Sequence, residues 1–145
     1  MLNNQNLLKL LINTDLDPLN PETHPDSING YDFMHRNICF VPLLDSKEQT
    51  TTSKIIIFFD EGVINSLNPD NENLSLLINI YCPFSEWVIK GDDLRPFAIM
   101  SEVRKSIQDR RINGLGEIKY LGFSVTSLTE EMSVYTMRFE INAFS

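Results

Sequence analysis

The sequence predicts an α+β fold in one domain spanning residues 1–145. It comprises an N-terminal helix and a mostly antiparallel sheet with one helix packed across it, in the order α-β-β-β-α-β-β. Three patterns carry this expectation. Leu74, Leu76, Ile78 and Ile80 alternate as in a strand with one buried face. Phe97, Met100, Val103 and Ile107 recur with the period of an amphipathic helix. Tyr135, Met137, Phe139, Ile141 and Ala143 alternate with Thr136, Arg138, Glu140 and Asn142, which marks an antiparallel strand with one apolar and one polar face.

In chain order, residues 4–12 form a short amphipathic helix with Leu7, Leu8 and Leu11 on one stripe. Asn13-Thr14-Asp15 ends it ahead of Pro18, Pro21 and Pro25. Residues 13–36 then read as an irregular, proline-rich segment with Asn29-Gly30 as a turn signal. A connection of that length inside a compact domain implies packing on a partner or mobility. Residues 38–44 form a strand interrupted by Pro42, which confines it to an edge or a bulge. Residues 45–53 make a polar, threonine-rich loop that projects from the body. Residues 54–60, with Ile55-Ile56-Ile57-Phe58-Phe59, read as a central strand buried on both faces. Residues 66–73 turn into the next strand, 74–81. Asp92 or Asp93 then caps a helix with Pro96 in its first turn, running to about Asn113, with Gly114 in the left-handed position beyond it. Two long alternating strands carry the chain to Ser145.

The 20 acidic residues against 12 basic ones give a formal net charge of −8, which argues against tight binding to a phosphate backbone. The cations are unevenly spread. Arg95, Arg104, Lys105, Arg110 and Arg111 lie on the predicted second helix, as a solvated outer face or as a basic patch facing an acidic surface on a neighbouring subunit. Apolar runs fall far short of a membrane span. The N-terminal residues, with Lys9 among asparagines, show no secretory pattern, so a soluble protein made inside the cell is expected. Cys39 and Cys82 each sit in an apolar run, as small buried side chains or, in an oxidising compartment, as a disulfide.

Catalytic patterns are missing. Gly114-Leu115-Gly116 follows a helix rather than opening one, so it is a stop signal and not a phosphate loop. His24 and His35 stand near Asp26 and Asp32 without metal-ligand spacing. The pairs Asp60-Glu61, Asp92-Asp93 and Glu130-Glu131 fall at element ends, where solvated turn carboxylates are ordinary. No serine or cysteine has a histidine near it in sequence to activate it. The expectation is a protein that is not an enzyme, with no catalytic residue, cofactor or metal. Trp87, the single tryptophan, sits in a connector, either capping the core or exposed as an aromatic anchor for a partner.

Four stretches together resemble tailed-bacteriophage neck proteins, and among them the tail terminator (tail completion) family. They are Ile78-Asn79-Ile80-Tyr81-Cys82-Pro83, Trp87, Asp93-Leu94-Arg95-Pro96-Phe97-Ala98-Ile99-Met100-Ser101-Glu102-Val103 and Ile112-Asn113-Gly114-Leu115-Gly116. In element order the resemblance covers residues 38–144, while segment 13–36 is longer than the linkers it leads one to expect. It implies a four-stranded, mostly antiparallel sheet behind the N-terminal helix, in a structural virion protein at the head–tail junction, made in the host cytoplasm, six copies of which close a ring that ends the tail tube and joins it to the neck. Its partners would be further copies of itself, the tail tube protein and neck proteins, with no membrane. Genomic DNA would pass an acidic lumen without specific binding, because like charge lets it slide.

Sixfold closure needs two different matching faces. Arg104, Lys105, Arg110 and Arg111 form one candidate half, and Asp92, Asp93, Glu130 and Glu131 the other, with exposed edge strands free to pair between subunits. The loop Lys47-Glu48-Gln49-Thr50-Thr51-Thr52 is the candidate to reach the lumen or the tube. The alternatives are another head–tail connector ring (an adaptor or stopper) and a small binding module or enzyme with a cleft lined by Asp60, Glu61 and His35.

Overall fold

The computed structural model describes residues 1–40, 52–64, 71–108 and 115–144. Helix α1 (Gln5–Ile12) begins where the Asn4 side chain accepts the Leu7 N–H at 3.1 Å. It buries Leu7, Leu8, Leu10 and Leu11, one more leucine than the sequence stripe had assigned. The Asn4 amide also donates to Ser106 Oγ at 2.8 Å and to the Glu102 carbonyl at 3.3 Å, fastening α1 to the second helix. Asn4→Ala is therefore expected to cost about 1–2 kcal/mol, the upper half of the range for a lost N-cap, as measured by urea denaturation.

The main sheet holds five strands, not the four expected. They are β1 (Ile38–Cys39), β2 (Lys54–Ile64), β3 (Asn71–Pro83), β6 (Leu115–Leu128) and β7 (Met132–Phe144), ordered β1-β2-β3-β7-β6. All five strands of the expected element order join the sheet, among them β1, which is only two residues long yet pairs in parallel with Ile55 and Ile56 at the edge. Asn37 holds it there, its side-chain amide donating to the Ser53 and Leu11 carbonyls and its own carbonyl accepting the Ile55 N–H. The other three pairings are antiparallel. Two-residue strands β4 (Val88–Ile89) and β5 (Asp93–Leu94) make a separate hairpin.

One face of the sheet forms the core with both helices. Register explains why: Ile55 faces Ile80, Ile57 faces Ile78, and Ile78, Leu76 and Leu74 face Met137, Phe139 and Ile141. These residues pack with the α1 leucines and with Ile99, Met100 and Val103 of helix α2 (Arg95–Ile107). Strand β2 is buried on both faces only at its start. Ile55, Ile56 and Ile57 are buried, but Phe59 is exposed where a bulge between Phe59 and Glu61 shifts the register.

Helix α2 is shorter than expected. Asp92 and Asp93 do not cap it; Gly91 (φ 89°) and Asp92 (φ 58°) make the β4–β5 turn, both in the left-handed region that glycine and Asp tolerate. Asp93 instead enters β5, and the helix starts after Leu94 without a side-chain cap. It ends at Ile107, because Gln108 turns extended at ψ 137°. The expected helix end near Asn113, the Gly114 stop and the central part of turn 66–73 lie outside the described residues.

Segment 13–36 is irregular except for a short 3₁₀ turn, Gly30–Phe33, and it makes hydrogen bonds to the rest of its own chain. The Gln5 side chain accepts the Ile28 N–H at 2.7 Å and donates to the Ile28 carbonyl at 2.8 Å, as a paired strand would. Lys9 Nζ donates to the His24 carbonyl, and the Lys90 N–H to the Leu16 carbonyl. Among the described residues no helix is long and apolar enough to cross a membrane.

Candidate assembly surface

The basic face of α2 divides into an inside and an outside. Arg95 is fully buried, so it belongs to the scaffold and not to the surface patch. Its guanidinium donates to four backbone carbonyls: Glu86 at 2.6 Å, Leu10 at 2.5 Å, Asn13 at 2.7 Å and Asp15 at 2.9 Å. The Leu10 carbonyl belongs to the last turn of α1, where carbonyls lack helical partners and a cation is favoured. Burial lowers the Arg95 pKa from the usual arginine value, against the opposing influence of Cys82, Glu86 and Asp15. Beside it, Asp15 accepts from His24 Nε2 at 2.9 Å, and this hydrogen bond holds its carboxyl below the ordinary value. A lowered carboxyl pKa stabilises the fold above the unfolded value, and the contribution is lost as pH falls through the folded one.

Arg104 and Lys105 lie outside. The Arg104 guanidinium stacks over the Tyr120 ring of β6, 4.2 Å from its centroid, and its Nε donates to Gln108 Oε1. Lys105 pairs with Glu102 at 3.2 Å, one turn back on the helix. Between α2 and β6 runs an open groove of about 530 Å³, lined by Phe97, Met100, Arg104, Lys105, Tyr120 and Phe123 among others. It joins an aromatic cluster in which Phe97 contacts Trp87, Phe123 and Tyr135, with ring centroids 5.4–6.4 Å apart.

Trp87 is half-buried. Its Nε1 donates to Ser133 Oγ at 2.8 Å, fixing the ring to β7, and Phe84 packs against it at 4.9 Å. Phe97, placed toward the sheet on helical spacing, is instead 37% exposed at the mouth of the groove. Its neighbour Phe123 (51%), with Val125 (51%) and Leu128 (60%), extends an exposed apolar band along β6. Opposite partners Met137, Tyr135 and Ser133 place all three on the helix-bearing face.

The band went unread in the sequence because β6 shifts register three times, so its apolar residues do not alternate simply. The signal that marks it is Leu121-Gly122-Phe123, with Gly122 at φ 128° in one of those irregularities.

The acidic candidates sit at two hairpin tips. Glu130 and Glu131 are exposed at the β6–β7 turn, whose base is fastened by the Phe84 N–H donating to the Glu131 carbonyl at 2.9 Å. Asp92 and Asp93 are exposed on the β4–β5 turn, where Asp93 already accepts the Leu94 N–H at 2.8 Å. Arg110, Arg111 and Lys47 to Thr51 lie outside the described residues, and Thr52 borders β2.

His24 bonds Asp15 rather than Asp26, and among the described residues no group of three or more His, Cys, Asp or Glu could hold a metal ion. Cys39 and Cys82 are both buried, and neither is in a disulfide. Burial pushes the Cys82 thiol up to about 11. In the folded protein Cys82 should therefore resist iodoacetamide at pH 8, and denaturant should release it to rapid alkylation, read by intact mass.

The YomW family model matches residues 4–141. No curated protein matches the chain.

Proposed function

The chain belongs to the YomW family, a phage-derived family, and from that premise we propose that it is a structural virion protein of a tailed phage. In this reading it forms a ring, of about six copies by resemblance, at the head–tail junction, where it ends the tail tube and joins it to the neck. The observation that supports it most is the apolar band of Phe123, Val125 and Leu128 beside a cationic groove. Contiguous exposed apolar surface of this kind marks a protein contact rather than a solvated face. The charge balance is compatible with the proposed path of DNA, since a net charge of −8 disfavours adhesion of the polyanion.

The edges of the sheet fit the same reading. Among the described residues β1 covers only Ile55 and Ile56 of β2 and β6 pairs only with β7, so each side of the sheet offers backbone for a neighbour. Deleting the gene from its phage tests the assignment. The expected particles are filled heads and separate tails of uncontrolled length, seen by electron microscopy. Joined particles with tails of normal length would contradict it.

A further inference from the structure

We propose that the groove between α2 and β6 receives the Glu130–Glu131 hairpin tip of a second copy of this chain, a proposal that rests on the ring reading. The groove brings Arg104 and Lys105 together with the apolar rings of Phe97, Tyr120 and Phe123. Such a site recognises carboxylates carried on a partly apolar projection.

The chain itself carries a projection of that chemistry. Glu130 and Glu131 are both exposed at the tip, and Leu128, 60% exposed, stands at its base. The tip is also preorganised. The Thr129 N–H donates to the Met132 carbonyl at 2.9 Å, and Thr129 Oγ1 accepts from the Met132 N–H at 3.1 Å. Little ordering entropy is then left to lose on docking. The competing acidic tip is less available, because Asp93 is engaged with its own neighbour Leu94.

The tip cannot fold back into its own groove. Phe123 lies in β6, which runs on to Leu128 just before the tip, so the tip stands roughly 20 Å beyond the groove at about 3.3 Å per residue. Tip and groove are thus different patches of one molecule, the arrangement from which head-to-tail rings are built.

Charge-swapped full-length chains test the pairing by native mass spectrometry and sedimentation velocity, with folding checked by circular dichroism. R104E/K105E and E130K/E131K should each weaken self-association about tenfold or more. Mixing the two variants in equal amounts should recover part of it, and combining all four changes in one chain should restore it. Neutral R104Q/K105Q should give an intermediate loss. If the charge variants assemble as the parent does, or if the four-fold variant is no better than either pair, the tip-and-groove pairing is overturned while the ring reading stands. A parent chain that stays monomeric both alone and with the tail tube protein overturns both.

Discussion

Arg95→Met is expected to lower the unfolding free energy by about 3–5 kcal/mol, the scale for breaking a buried charged network by removing one side of it. The methionine fills similar volume but leaves the carbonyls of Glu86, Leu10, Asn13 and Asp15 without the donor that now serves all four. Each unpaired buried carbonyl costs on the order of 1–3 kcal/mol, with partial relief where water enters. The loss should concentrate where those carbonyls lie, at the end of α1 and the start of segment 13–36. Hydrogen exchange should therefore quicken in residues 9–17 before it does in β3 and β7. Arg95→Lys should recover only part of the loss, since one ammonium cannot reproduce the planar fork. A melting temperature within a degree or two of the parent would contradict this role.

Phe139→Ala should destabilise by a similar amount, about 3–5 kcal/mol. Phe139 is fully buried in β7, opposite Leu76 on one side and Tyr120 on the other, with its ring 5.1 Å from that of Tyr120. The sheet backbone on both sides is hydrogen-bonded and resists collapse into the void, so a cavity cost adds to the lost transfer energy. The expected drop in melting temperature is roughly 10 °C or more for a domain of this size. Tyr120 also carries the stacked Arg104, so the same substitution should loosen the groove wall and slow assembly.

The parts of the fold that were legible in sequence follow from strict periodicity. Leu74, Leu76, Ile78 and Ile80 pack in the core on one face, as their alternation predicts, and Met137, Phe139 and Ile141 pair with them across the sheet. The described part of the expected first strand, Ile38–Cys39, does sit at an edge, while Pro42 lies outside the described residues. The element order read from the sequence already named this strand as the first of five, so the sheet count of four was one short of that order; only its anchoring by the Asn37 side chain had no period to detect.

Arg95 was grouped with surface cations for a related reason. Helical spacing says which way a side chain leaves its helix, and nothing about the carbonyls of α1 and residues 13–15 that converge on it from some eighty positions away. Asp92 and Asp93 look like caps by composition, yet the Gly91 turn uses them in a hairpin first.

The candidate surface was half visible. Arg104, Lys105, Glu130 and Glu131 are exposed residues. Phe123, Val125 and Leu128 escaped notice because register shifts in β6 break the alternation that would have flagged them.

Native mass spectrometry of the full-length protein, alone and with the tail tube protein, tests the central claim most directly. The account predicts a closed ring of defined copy number, about six, forming by itself or on the tube. A chain that remains monomeric in both conditions would contradict it.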